Sequence, residues 1–225
     1  MPWCPPPAPC SAAKSQTPVD EGVIARALYI RALANFSMQQ RDLSDQLFGE
    51  LLELLRANPQ IDPGLYEDTR LMVSRRLGTK GEFVAAEAMV KSVIDDIRAD
   101  PPLRDADLIS ALDALGSLYE KMQRHDEQVA VYRELLPMAL RKLGPDHFHV
   151  GIAHHNLAQA LEAVGAHVES LSGSDEAVRI GSASVGIDHA FTVAARIQRA
   201  RAACRVHGGG AVSSEEHQSL QALVA

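Results

Sequence analysis

Four histidines within nine residues are the part of this sequence that most resembles a chemical site. His147 and His149 are separated by one residue, and His154 and His155 are adjacent. Imidazole nitrogens bind zinc and related metals in sets that Cys, Asp or Glu usually completes. No such residue completes a set at ligand spacing here, and adjacent residues of a helix point to different sides. We therefore expect no metal site, and nothing in the sequence indicates a cofactor.

Carboxylates occur in pairs at Asp95-Asp96 and at Asp105-x-Asp107, and paired carboxylates can act as general acid and base. We interpret them instead as solvated charges and helix caps, with Asp105, Asp146 and Asp188 as N-caps. The sequence has no Gly-x-Ser-x-Gly elbow, phosphate-binding loop, dinucleotide fingerprint or His-Glu-x-x-His motif. It therefore predicts a protein that is not an enzyme.

The overall charge argues against two classes of partner. With 22 basic and 29 acidic residues, the chain carries a formal charge of −7. Nucleic acids and anionic membranes attract basic surfaces, so neither is expected to bind. The odd set of Cys4, Cys10 and Cys204 forms no disulfide framework and favours a reducing compartment. Without a signal peptide or an apolar run of membrane-spanning length, we expect a cytoplasmic protein.

Local patterns divide the chain into a short tail and a helical domain. Residues 1–18 contain six prolines and predict a disordered Pro-rich tail. From residue 19 onward, apolar residues recur at helical spacing, beginning with Val23, Ala27, Ile30 and Ala34. No alternating β-branched run predicts a strand. The sequence therefore indicates an all-α domain over 19–225.

The later half of the chain repeats with a period of 42 residues. A shift of 42 places 115–147 on 157–189, so that Leu115 meets Leu157 and Gly144 meets Gly186. A backward shift extends the match to residue 73. A fixed period of helix pairs is typical of a solenoid, in which each pair packs only on its neighbours.

Two motifs carry a family resemblance. Leu115-Gly116-x-x-Tyr119, with Gln123-Arg124-His125-x-Glu127 and Val131-Tyr132 after it, resembles the tetratricopeptide repeat (TPR) signature. Leu143-Gly144-Pro145-Asp146-His147, followed by Asn156-Leu157-Ala158, resembles the 42-residue variant of kinesin light chains, which places His147 in a linker. The match is strongest over 69–170.

The resemblance implies a right-handed superhelical solenoid of about five antiparallel helix pairs. We place the pairs at 19–56, 62–98, 103–142, 146–180 and 188–225.

Three features depart from the family pattern. Gln128 stands where these repeats usually have a small alanine. Ser172-Gly173-Ser174 is expected to interrupt the second helix of its pair, because glycine disfavours a helix by about 1 kcal/mol relative to alanine. In the last pair, Gly208-Gly209-Gly210 predicts a turn, and Ser213-x-x-Glu216 predicts the cap of a final helix.

In this fold the first helix of each pair lines a concave groove that holds an extended or helical peptide. An asparagine at the position of Asn156 often bonds to the peptide backbone, since an amide both donates and accepts. The resemblance implies partner-binding residues on these helices: Asp68, Leu71, Met72, Arg75, Asp113, Ser117, Glu120, His155, Asn156, Gln159 and Arg201. The same faces carry Ser110, Ile152, Glu162, Ile197 and Gln198.

Three hypotheses for function remain open on the sequence alone. The first is a cytoplasmic scaffold or adaptor that binds a protein or peptide in the concave groove. The second is a sensor or oligomerisation module of a larger bacterial signalling protein, such as a kinase or transcription regulator, because many such proteins carry similar repeats. The third is an enzyme with an unfamiliar site.

Overall fold

Within residues 20–58, 60–99 and 104–207, the computed structural model describes nine α-helices and no β-strand. They are α1 (Glu21–Ser37), α2 (Arg41–Ala57), α3 (Pro63–Lys80), α4 (Phe83–Ala99), α5 (Asp105–Lys121), α6 (His125–Leu143), α7 (Phe148–Ala163), α8 (His167–Ser184) and α9 (Ala190–His207). The all-α prediction is confirmed for this part of the chain. The predicted Pro-rich tail and the predicted final helix lie outside the described residues.

The chain divides into two compact units, 1–69 and 70–225, and the division falls inside α3. In the first unit, α1 packs against α2. The Ser44 hydroxyl of α2 donates to the carbonyl oxygen of Ala32 at 2.9 Å, and both residues are fully buried. Small side chains at this contact allow the two helix backbones to lie close together.

The apolar stripe predicted for α1 faces away from α2. Val23 and Ile30 are 62% and 67% exposed, and Ala27 and Ala34 are exposed as well. The residues that α1 buries are Ala25 and Ala32. The spacing therefore predicts the helix correctly, although the four apolar residues that reveal it are exposed and the buried side of α1 is formed by two alanines.

In the second unit, successive helices from α4 to α9 pack on one another, and α7 also contacts α9. The largest fully buried side chains of this unit include Tyr132, Leu112, Leu135 and Ile180. Glu87 of α4 accepts hydrogen bonds from the Tyr119 hydroxyl at 3.1 Å and from Arg124 at 2.7 Å. Burial alone would raise the pKa of Glu87, but these bonds and one from Lys91 outweigh it and lower that pKa.

The 42-residue period extends through four helix pairs, further than the sequence comparison alone indicates. The fourth residues of α2, α4, α6 and α8 are Ser44, Ala86, Gln128 and Ser170, and all four are 0% exposed. Gln128 is the largest of them. Its Oε1 lies 3.2 Å from Nδ1 of His125, whereas its Nε2 has no partner among the described residues.

The second helix of the fourth pair is not interrupted. α8 runs from His167 to Ser184, so the predicted break at Ser172-Gly173-Ser174 is wrong. A Cβ atom on Gly173 would lie 3.3 Å from the Ala158 side chain and 3.4 Å from the His154 carbonyl oxygen. Glycine therefore lets α7 and α8 approach closely, and this contact offsets its low helix propensity.

Histidines, rather than aspartates, cap α7 and α9. Nδ1 of His147 and Nδ1 of His189 each accept a hydrogen bond from the backbone N–H two residues later, at 3.2 Å in both cases. The N-caps predicted at Asp146 and Asp188 are therefore wrong by one residue, and Asp105 is the first residue of α5. Because the first N–H groups of a helix lack partners within it, these imidazoles have a structural role.

Candidate functional site

Most of the predicted groove residues lie on α3, α5, α7 and α9 within the second unit. Their side chains are half-buried or exposed: Met72, Arg75, Asp113, Ser117, Glu120, His155, Asn156, Gln159 and Arg201. Leu71 belongs to the core and is only 6% exposed, which leaves little of it for a partner. Asp68 is exposed and belongs to the first unit.

A series of polar contacts joins four side chains, which we call the Tyr132 network: Arg75, Asp113, Tyr132 and Asn156. Nδ2 of Asn156 donates to the Tyr132 hydroxyl at 2.9 Å, and that hydroxyl donates to Oδ1 of Asp113 at 3.2 Å. The other Asp113 oxygen lies 3.9 Å from Nη2 of Arg75. The sequence analysis places three of these residues on the inner helices, but it does not indicate that a tyrosine of α6 joins two of them.

Tyr132 holds the network from inside the core. It has no exposed surface. Burial, assisted by the Asp113 charge, raises the pKa of its hydroxyl, so the group stays protonated and can donate. A Cβ atom on Gly116 would lie 2.7 Å from Cε2 of the ring. The glycine of the TPR signature is therefore what makes room for this tyrosine.

Asn156 retains an unused acceptor. Its Nδ2 is engaged by Tyr132, whereas its Oδ1 has no hydrogen-bond partner among the described residues. An amide that is fixed through its nitrogen presents its oxygen in a defined direction and can accept from a peptide N–H. Nearby, Arg75 and Ser117 line a recess of about 20 Å³.

A larger groove lies between α7 and α9. Its volume is about 610 Å³, and it is lined by Glu162, Ile197, Ala200, Arg201, Cys204 and Arg205. Glu162 contacts two basic groups: Oε2 lies 3.0 Å from Nδ1 of His167, and Oε1 lies 3.7 Å from Nε of Arg205. Arg201 forms no ion pair within the described residues. Of these residues, the sequence places Glu162, Ile197 and Arg201 on inner faces, and the structure brings all three to this groove.

The next helix pair lacks a counterpart of the Tyr132 network. A shift of 42 residues replaces the tyrosine and its two hydrogen-bond partners with a set that we call the His155 cluster: His155, Ser174 and Gln198. The Nδ1, Oγ and Nε2 atoms of these side chains are buried and find no partner in the described part of the chain. Burial lowers the pKa of His155, so its ring is neutral near pH 7. The ring lies edge-on to Phe191 at 5.7 Å.

Neither a metal centre nor a membrane span is found in the described residues. Among 20–58, 60–99 and 104–207, no group of three or more His, Cys, Asp or Glu side chains could hold a metal ion. Over the same ranges, no helix is both long and apolar enough to cross a membrane.

Solved structures of TPR-like repeat proteins share this fold. A putative kinesin light chain from Podosopora anserina with nearly identical TPR-like repeats superposes with a TM-score of 0.71 at 16% identity, over 91% of this chain and 96% of that chain. BtubC (BKLC) from P. vanneervenii gives a TM-score of 0.73 at 15% identity, over 93% and 84% of the two chains.

The apo form of RapI is also similar. It superposes with a TM-score of 0.66 at 8% identity, over 83% of this chain and 50% of RapI. No protein-family model and no curated protein sequence matches the chain. The structural similarity confirms the predicted TPR-like helical-repeat fold.

Proposed function

We propose that the chain is a non-catalytic scaffold that holds a partner peptide against the inner helices of its second unit. The observation that carries the proposal is Asn156, whose amide nitrogen is fixed by the buried Tyr132 hydroxyl at 2.9 Å while its oxygen is left unpaired. A peptide backbone in the groove would supply the missing donor. Because the tyrosine is fully buried, the amide is oriented before the partner arrives, which reduces the entropy lost on binding.

The charges on these helices favour a partner that carries both signs. Arg75 lies 3.9 Å from Asp113, a separation at which it can exchange its contact for a partner carboxylate. Glu162 faces the larger groove together with Arg201 and Arg205. A polyanion would meet the acidic groups, and a polycation would meet the arginines. We therefore expect a peptide of mixed charge rather than nucleic acid.

We also propose a reducing compartment such as the cytoplasm. The half-buried Cys204 lines the larger groove and forms no disulfide within the described residues.

A second candidate function is a sensor or oligomerisation module within a larger signalling protein. The similarity to RapI favours it, because the superposed part covers 50% of that chain. An array of this size can therefore occur as one portion of a longer polypeptide. The DNA sequence upstream of Met1 distinguishes the two candidates. A reading frame that continues into a catalytic or DNA-binding domain would favour the second candidate over the first.

Partner capture tests the first candidate. The wild-type chain and an Asn156→Ala, Arg75→Glu variant would each be used to capture proteins from a lysate of the source cell. Arg98→Glu is the matched control, because Arg98 is a comparably exposed arginine that pairs with Glu134 of α6, outside the Tyr132 network. Circular dichroism would verify that each variant is folded.

The expected result is a partner that binds the wild type and the control but not the groove variant. If the same partners bind all three folded proteins, the inner helices are not the binding site, and the sensor or oligomerisation function becomes the better account.

A further inference from the structure

The larger groove between α7 and α9 carries positive charge beside an uncharged surface. Arg201 is exposed and pairs with no acidic group of the described residues. The Arg205 side chain is 70% exposed and lies 3.7 Å from Glu162, which also contacts His167 at 3.0 Å. The rest of the α9 lining is uncharged and largely apolar: Ile197, Ala200 and Cys204. The groove therefore fits a ligand that carries a carboxylate next to apolar side chains.

The chain supplies such a ligand just beyond α9. Residues 208–225 follow α9 in the sequence and lie outside the described residues. Their sequence predicts a helix in which Ser213 is the N-cap and Glu216 completes a capping box. At 100° per residue, a helix over 214–224 places one glutamate and three apolar residues on one side, which we call the 216–224 stripe: Glu216, Leu220, Leu223 and Val224. This stripe has the composition that the groove fits.

The connection to this predicted helix is longer than those within the described pairs. The first and second helices of these pairs are joined by two or three residues: 38–40, 81–82, 122–124 and 164–166. Between His207 and the predicted helix there are six, 208–213, and three of them are glycines. Glycine adopts backbone conformations that other residues rarely adopt. The connection therefore allows the predicted helix to leave the position that the short turns give to α2, α4, α6 and α8.

We propose that this helix turns back and places the 216–224 stripe in the larger groove, antiparallel to α9. Glu216 then lies beside Arg201 and Arg205, and the apolar residues of the stripe follow toward Ile197. Along α9, Arg205 and Ile197 are about 12 Å apart. Along the predicted helix, Glu216 and Leu223 are about 10 Å apart, so the two lengths agree. A carboxylate has two oxygens, so Glu216 can accept from the capping N–H and from an arginine.

The docked helix occupies part of the surface on which the partner peptide is proposed to lie. Glu162 and Arg201 line the larger groove and belong to the inner helices. The helix and the partner therefore compete, and the partner binds more weakly than it would to a chain whose groove is free. This consequence rests on the proposed function, whereas the docking itself does not.

The reactivity of Cys204 tests the docking, because this thiol lines the larger groove. In the full chain with Cys4→Ser and Cys10→Ser, the rate of reaction with an uncharged maleimide would report how often the groove is uncovered. Adding Leu220→Glu should increase this rate roughly tenfold, since the burial of a leucine side chain is lost. Gln218→Glu is the matched control, because it adds the same charge on the opposite side of the predicted helix and should leave the rate unchanged. Circular dichroism would verify that each variant is folded.

An equal rate with and without Leu220→Glu would overturn the proposal, and so would an equal increase in both variants. The thiol measurement needs no partner, so its outcome is separate from that of the partner-capture experiment. Once a partner is captured, Leu220→Glu should bind it more tightly than the wild type, whereas Gln218→Glu should not. Unchanged affinity in Leu220→Glu would overturn the competition.

Discussion

The third and fourth helix pairs place different chemistry at equivalent positions. In the third pair, a buried tyrosine joins Asp113 to Asn156 at 3.2 and 2.9 Å. In the fourth pair, the atoms of the His155 cluster are equally enclosed but find no partner among the described residues. A buried polar group without a hydrogen bond costs about 1–3 kcal/mol. The repeat therefore preserves helix packing from pair to pair, while the polar contacts of each pair are specific to it.

The largest effect is expected for removal of the tyrosine. Tyr132→Ala deletes a fully buried ring and leaves Asn156 without its acceptor, so it should lower the free energy of unfolding by about 3–5 kcal/mol. Urea unfolding followed by circular dichroism would measure the loss. A decrease below about 1 kcal/mol would show that the ring is not tightly packed and would contradict the contrast with the fourth pair.

Adding a methyl group at Gly116 should have the next largest effect on stability. Gly116→Ala places a Cβ atom 2.7 Å from the Tyr132 ring and should destabilise the fold by about 1–3 kcal/mol, despite the better helix propensity of alanine.

The same substitution in a Tyr132→Ala background is the control, because the clash is absent there. In that background it should be neutral or stabilising. An equal cost in both backgrounds would show that the glycine is needed for another reason.

Substitution of Ser174 is expected to increase the stability of the fold, in contrast to the substitutions of Tyr132 and Gly116. Ser174→Ala removes a buried hydroxyl that has no described partner and should stabilise the fold by about 1 kcal/mol. Ser170→Ala is the matched control one turn earlier on α8. Its buried hydroxyl donates to the Ala158 carbonyl at 2.8 Å, so its removal should destabilise by about 1 kcal/mol. A loss of stability in both variants would mean that Ser174 has a hydrogen bond in solution.

The smallest effect is expected on the pH dependence of the free energy of unfolding. Burial lowers the pKa of His155, and of His154 as well, so the unfolded chain takes up protons at higher pH than the folded chain. Histidine in the unfolded chain has a pKa of about 6.5, and above that pH the neutral rings make their full contribution to the free energy of unfolding. This contribution is lost as the pH falls below that value. His155→Phe should therefore weaken the dependence of stability on pH between about pH 7 and pH 5.5, as measured by urea unfolding.

An identical pH profile for His155→Phe and the wild type would contradict the buried, neutral histidine.

Much of the fold follows from short-range patterns. Apolar spacing predicts the helices, and the 42-residue shift relates Gly144 to Gly186, whose φ angles of 90° and 93° disfavour residues with side chains. The outward stripe of α1 was not predicted, because spacing identifies an apolar side but not the helix that covers it. The caps at His147 and His189 were missed because aspartate is the commoner N-cap residue.

The site is less predictable than the helices. The family resemblance places Asp113 and Asn156 on inner helices, but their connection depends on a hydroxyl that reaches across from α6. Tyr132 is identified from sequence only as the aromatic residue of the repeat signature. Its polar role depends on the conformations of side chains from several helices, which periodicity does not determine.

The affinity of the Tyr132→Phe variant for the captured partner tests the central claim most directly. This change keeps the ring but removes the hydroxyl that orients Asn156, a bond worth about 1 kcal/mol. Tyr119→Phe is the control, because it removes a similar hydroxyl that bonds to Glu87 instead. We predict that binding weakens roughly fivefold in Tyr132→Phe and is unchanged in Tyr119→Phe. Unchanged affinity in a folded Tyr132→Phe variant would contradict a groove whose peptide contact is prepared by Tyr132.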